Sequence, residues 1–129
     1  MVIQGVGTDI IEIQRVEKLV DTWGKKFLTR VFCEQEISYA ESKGAFFCAS
    51  LAARFAAKEA VLKALGTGLS GMSWLDIEIT SKEGCPGVVL RGAAMVLAQK
   101  LHIKGIHLSL SHCNEYALAF AVAEREVGQ

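Results

Sequence analysis

The stretch RFAAKEAVLKALGTG, residues 54–68, decides how this 129-residue chain is read. It begins as an alanine-rich helix and stops at a Gly-x-Gly pair, as helix ends commonly do. Its only charges are Arg54, Lys58, Glu59 and Lys63, set among alanines and large apolar residues. At about 100° per residue, Leu51, Phe55, Val61, Leu62 and Leu65 fall in one arc, and Arg54 and Lys58 lie inside it. Glu59 and Lys63 point elsewhere, one turn apart, and a further arc holds only Ala53, Ala57, Ala60 and Ala64. A helix with one solvated face gathers its charges opposite its leucines. This pattern instead predicts a helix covered on most sides, its charges turned into a polar cavity or toward a partner. Periodicity leaves a plainer reading open. Glu59 and Lys63 would then form an exposed i,i+4 pair worth about 0.2–0.5 kcal/mol, while Arg54 and Lys58 run apolar stems out to water.

Outward from that helix the pattern changes twice. Upstream, VIQGVGTDI is short, β-branched and broken by Gly5 and Gly7, which predicts a strand ending near Asp9. Ile13, Val16, Leu19 and Val20 then recur at helical spacing; Gly24 interrupts, KKFLTRVF is a second short helix, and CEQEISYAESKG a third. In that third helix Glu36 stands as the third-position acid of a capping box whose cap residue is Cys33, a poor capping side chain. Downstream, WLDIEIT alternates, GCPG is read as a turn and VVLRG resumes, predicting an antiparallel hairpin. AAMVLAQKL is helical, and IHLSLSH with YALAFAVAE forms a second hairpin across CNE. Helices first and hairpins later predict an α+β fold: one domain over residues 1–129, a long central helix packed against antiparallel β-hairpins.

Composition bounds the function. Half the residues are hydrophobic, and Lys plus Arg balance Asp plus Glu at 14 each, so the chain is globular and not a wholesale nucleic-acid binder. No apolar run reaches the roughly 20 residues of a membrane span, and Asp9 and Glu12 inside the first apolar stretch argue against a signal peptide. Four scattered cysteines without a C-x-x-C pair predict reduced thiols in a cytoplasm. His102, His107 and His112 lack zinc-ligand spacing. Between residues 13 and 30, five basic side chains (Arg15, Lys18, Lys25, Lys26, Arg30) stand against Glu17 and Asp21, a basic face suited to an acidic partner or simply to solvent.

Asp9 favours a site over the plainer reading. Asp9 and Glu59 come from distant segments with lysine and arginine nearby, which is what a phosphate-handling Mg²⁺ site requires. Mg²⁺ is held by one or two carboxylates while phosphate oxygens and water complete its shell, and basic side chains neutralise the remaining phosphate charge.

The segments GVGTDIIEIQRVEKL, RFAAKEAVLKALGTG, SWLDIEI, HLSLSH and YALAFAVAE, in this order, resemble the holo-acyl-carrier-protein synthases, the short bacterial 4′-phosphopantetheinyl transferases. The resemblance implies Mg²⁺-dependent transfer of the phosphopantetheine arm of coenzyme A to a serine of apo acyl carrier protein, in support of fatty acid biosynthesis, with adenosine 3′,5′-bisphosphate leaving. It implies Asp9 and Glu59 as metal ligands and Lys63 beside the reacting phosphate, either stabilising charge or assisting deprotonation of the serine. It places Arg54, Lys58, Ser111 and His112 around coenzyme A, with Arg54 and His112 the better candidates for its 3′-phosphate. Arg15, Lys26 and Arg30 fall where the family meets the carrier's acidic helix. Relatives of this length are typically homotrimers with active sites between subunits. Cys33 and Cys113 stand where threonine is frequent, departures that bear on local stability and on the coenzyme pocket. A non-catalytic coenzyme A-binding module and a structural subunit are the competing readings, and the joint presence of Asp9, Glu59 and Lys63 weighs against both.

Overall fold

A computed structural model describes residues 1–128. Ten regular elements follow one another: β1 Val2–Glu12, α1 Ile13–Trp23, α2 Lys25–Val31, α3 Glu34–Glu41, α4 Phe47–Ala64, β2 Ile77–Lys82, β3 Cys85–Leu90, α5 Gly92–Lys100, β4 Ile103–His112 and β5 Tyr116–Arg125. Strands β1, β5 and β4 form an antiparallel sheet in that order, and β2 and β3 form a separate hairpin. The α+β arrangement expected from the sequence is the one observed.

Helix α4 is the centre. Of its 18 residues, 13 are buried, so the prediction of a helix covered on most sides holds. Its alanine arc faces the sheet, where Ala117, Ala119, Ala121 and Ala123 of β5 are completely buried. Methyl groups on both surfaces bring helix and sheet unusually close, and β1 goes further. A β-carbon on Gly5 would lie 2.3 Å from the carbonyl oxygen of Ala64, and one on Gly7 would lie 2.0 Å from that of Ala60. Only glycine fits at either position. On its other flank α4 meets an aromatic cluster, with the Phe55 ring edge-on to Trp74 at 5.0 Å and to Phe32 at 6.3 Å.

Three local expectations are corrected. Strand β1 continues past Asp9 to Glu12, because Asp9 is paired with Ala119 in the ladder and does not cap a helix. Trp74–Asp76 is a 3₁₀ turn, so the strand expected over WLDIEIT begins only at Ile77. The turn of the first hairpin lies at Glu83 and Gly84, both at positive φ, so of the stretch GCPG only its first glycine belongs to the turn. Cys85 and Pro86 are already in β3, where Pro86 is paired with Ser81 and is tolerated on an edge strand. The capping box expected at α3 is present, the backbone N–H of Cys33 donating to Glu36 Oε1 at 3.0 Å.

Strand alternation leaves one sheet face on α4 and turns the other outward. Val6 and Ile10 of β1 and Tyr116, Leu118 and Phe120 of β5 all belong to that outer face, and all are exposed.

Candidate active site

The ladder sets Asp9 on the helix-facing side of β1, opposite the third and fourth turns of α4. There the Asp9 and Glu59 carboxyls stand close enough for Asp9 to act on Glu59. Burial first, and the facing Asp9 carboxylate second, push the Glu59 carboxyl above its usual pKa; Lys63 and Arg15 oppose the shift. Lys63 Nζ donates to the Thr8 carbonyl at 2.8 Å and lies 3.4 Å from Asp9 Oδ1. An ammonium has three protons, so Lys63, half exposed, retains a donor toward solvent. Two carboxylates forced together, with cations beside them, form a hard-oxygen site suited to a divalent ion. Among the described residues, no cluster of three or more His, Cys, Asp or Glu could hold a metal. The pair would supply such an ion with two carboxylates.

A second group lies on the opposite flank of α4. Glu59 follows Arg54 by five residues, about 140° around the helix. Arg54 is 4% exposed, and its guanidinium stacks 3.9 Å from the centroid of the Tyr39 ring. Its Nη1 reaches Ser50 Oγ at 3.5 Å, while its buried Nε has no partner. Burial pulls the guanidinium below its usual pKa, with Tyr39 opposing. These side chains wall a cleft of about 430 Å³ into which Lys43, Ser81, Ser111 and His112 also project. Among the described residues, no carboxylate lines this cleft. Lys43 Nζ stands 4.7 Å from the centroid of the same Tyr39 ring, which therefore contacts two cations. A hydrogen bond with Ser81, then Lys43 and Arg54, hold the Tyr39 phenol below its usual pKa. A hydroxyl-lined, acid-free cleft with cations at its wall has the chemistry of a phosphate-binding site.

The structure therefore joins Asp9, Glu59 and Lys63, and separately joins Arg54, Ser111 and His112. Arg15, Lys26 and Arg30 are exposed on α1 and α2, and Arg15 is near enough to act on Glu59. Lys58 belongs to neither group, which corrects its expected place at the coenzyme. It is completely buried, 2.9 Å from Glu36 Oε1 and donating to the carbonyls of Trp74 and Ile77, so all its protons are committed inside the fold. Tyr39, Lys43 and Ser81 were not singled out from the sequence. The one available signal was Tyr39 and Lys43 standing four apart at the end of a helix.

The sequence model of the 4′-phosphopantetheinyl transferase superfamily matches residues 5–121. The chain belongs to this superfamily and, within it, to the holo-[acyl-carrier-protein] synthases. It is 44% identical over 124 residues to the holo-[acyl-carrier-protein] synthase of Halothermothrix orenii, covering 95% of this chain and 98% of that one. Its fold superposes on the Neisseria meningitidis holo-[acyl-carrier-protein] synthase with a TM-score of 0.88 at 35% identity, covering 96% and 100% of the two chains. The Helicobacter pylori synthase, solved in complex with coenzyme A, gives a TM-score of 0.81 at 33% identity over 92% and 99%. The family and fold expected from the sequence are thereby shown.

Proposed function

We propose that this chain transfers the 4′-phosphopantetheine group of coenzyme A to a serine hydroxyl of apo acyl carrier protein, in support of fatty acid biosynthesis in the cytoplasm. The observation that carries the reading is the Asp9–Glu59 pair, built from β1 and α4 with Lys63 across it. Mg²⁺ bound there would draw charge from the coenzyme A diphosphate. Asp9 and Glu59 supply the protein oxygens of that site. Lys63, anchored by Thr8, neutralises charge developing on the phosphoryl oxygens, because phosphoryl transfer depends mainly on positioning and electrostatics. The serine oxygen gives up its proton to water in the cleft and bonds to phosphorus as the bond to the departing adenosine 3′,5′-bisphosphate breaks. Arg54 and His112 hold the coenzyme's 3′-phosphate in the Tyr39 cleft, with Ser111 and Lys43 beside them. Exposed Arg15, Lys26 and Arg30 meet the acidic carrier.

The two groups of residues face away from each other across α4, so one coenzyme A is best served by the Asp9 flank of one protomer and the Arg54 flank of a second. The outward apolar face of Val6, Ile10, Leu118 and Phe120 supports such association, and the assembly proposed is a homotrimer with shared sites. Among the described residues, no helix is long and apolar enough to cross a membrane.

The test is incubation with coenzyme A, Mg²⁺ and apo carrier protein, followed by intact mass. The reading expects a phosphopantetheine adduct on the carrier serine that requires the metal. Coenzyme A binding with no adduct on any of several carriers would instead leave a non-catalytic module. Light scattering tests the assembly, and a fully active monomer would overturn the shared site.

A further inference from the structure

Two charged side chains at the centre of the protein belong to neither half of the site. Glu36 and Lys58 are 1% and 0% exposed, and each of their hydrogen-bonding groups is engaged. Glu36 Oε1 accepts from Lys58 Nζ at 2.9 Å and from the Cys33 N–H at 3.0 Å, and Oε2 accepts from the Ile79 N–H at 2.9 Å. Lys58 completes its set with the carbonyls of Trp74 and Ile77. An apolar pair of similar volume is often at least as stabilising as a buried ion pair, so stability alone is a weak reason for this one. Its distinctive property is directional: it ties α3, α4, the Trp74–Asp76 turn and the start of β2 to a single point.

That point sits directly beneath the coenzyme cleft. Tyr39 is three residues after Glu36 on α3, and Arg54 is four residues before Lys58 on α4. The pair and the Tyr39–Arg54 stack are therefore neighbouring rungs between two antiparallel helices. On β2, Ile79 is held by Glu36, and the next two residues, Thr80 and Ser81, line the cleft. Three walls of the cleft thus refer to one carboxylate.

We propose that the Glu36–Lys58 pair is a positioning device for the coenzyme cleft, setting where Tyr39, Arg54 and Ser81 stand and thereby the affinity for the 3′-phosphate end of coenzyme A. The inference rests on the reading of that cleft as the 3′-phosphate site.

The test replaces the pair by Glu36→Gln with Lys58→Met, which removes both charges while the amide keeps an acceptor and supplies a donor. Steady-state KM is measured for coenzyme A, for coenzyme A lacking its 3′-phosphate and for the carrier, with Arg54→Ala as reference. The expected result is a KM for coenzyme A raised about tenfold or more, the scale of a displaced charge-assisted hydrogen bond, with KM for the dephosphorylated coenzyme and for the carrier unchanged. A merely structural pair would lower kcat for both coenzymes alike through loss of folded protein. Arg54→Ala that leaves the KM for coenzyme A unchanged would sink the reading of the cleft itself. If Arg54→Ala raises that KM and the folded double variant does not, the positioning role is overturned. Should the double variant not fold, Glu36→Gln alone is measured by the same criteria, with calorimetric affinity for adenosine 3′,5′-bisphosphate as the second readout.

Discussion

Gly7 lets β1 approach α4 closely beside the Asp9–Glu59 pair, and Gly7→Ala perturbs that approach without altering either carboxylate. Its β-carbon would lie 2.0 Å from the Ala60 carbonyl oxygen, 2.8 Å from the Ala64 nitrogen and 2.8 Å from the Lys63 β-carbon. Side-chain carbons essentially never come within 3.0 Å of such neighbours, so β1 and α4 must separate by about 3.0 − 2.0 = 1 Å. The Lys63–Thr8 hydrogen bond, 2.8 Å long, would stretch to nearly 4 Å, beyond hydrogen-bonding range. Asp9, two residues further along β1, would retreat from Glu59. Overpacking costs about 1–3 kcal/mol of stability, and a 1 Å misplacement at a reacting centre costs about 10²-fold in rate. Intact-mass kinetics should therefore show kcat/KM down about a hundredfold in protein that remains folded by thermal melting. Gly105→Ala, where an added β-carbon meets nothing within 4 Å, is the control. Gly7→Ala protein turning over within about threefold of wild type, less than the loss expected from misplacement, would show that the close contact does not set the geometry of the pair.

Two further outcomes follow from the charges on α4. Glu59→Gln should abolish turnover yet stabilise metal-free protein against denaturant, by no more than about 1 kcal/mol for one partly exposed interaction, at pH values where the wild-type Glu59 carboxyl has lost its proton. The sign is that of an acid whose folded pKa is raised: the native state binds more protons than the unfolded one between the ordinary and raised values, so stability falls as pH rises through that window. Lower stability of the Gln variant across that range would remove the repulsion from the argument. Lys58→Met alone leaves Glu36 charged and unpaired in the core and should cost about 3–5 kcal/mol in denaturant unfolding; a loss under about 1 kcal/mol, the range of an exposed pair, would mean that water reaches the site.

Much of this was legible from the chain because the decisive features are local. The alanine arc of α4 and the alternation of β4 and β5 report burial directly, and a carboxylate after Gly-Thr paired with another inside a covered helix is a pattern of residue types. What stayed hidden depended on a partner distant in sequence. Lys58 shares an arc with Arg54 on the wheel, but which of them meets the cleft is decided by α3, and Glu36 looked like a capping residue and nothing more. The same carboxylate caps α3 and receives a lysine 22 positions away, and no spacing rule reports the second task. The first hairpin turn was misplaced because Pro86 looks like a breaker, whereas an edge strand tolerates it and Glu83–Gly84 turns the chain.

The two flanks of α4 also bear on how damage is inherited. If one coenzyme A takes its metal ligands from one copy and its 3′-phosphate contacts from another, a lesion at Glu59 and a lesion at Arg54 disable complementary halves of each junction. Assemblies mixing the two defective chains would then contain junctions built wholly from intact flanks, so two inactive alleles would together restore part of the activity that neither has alone.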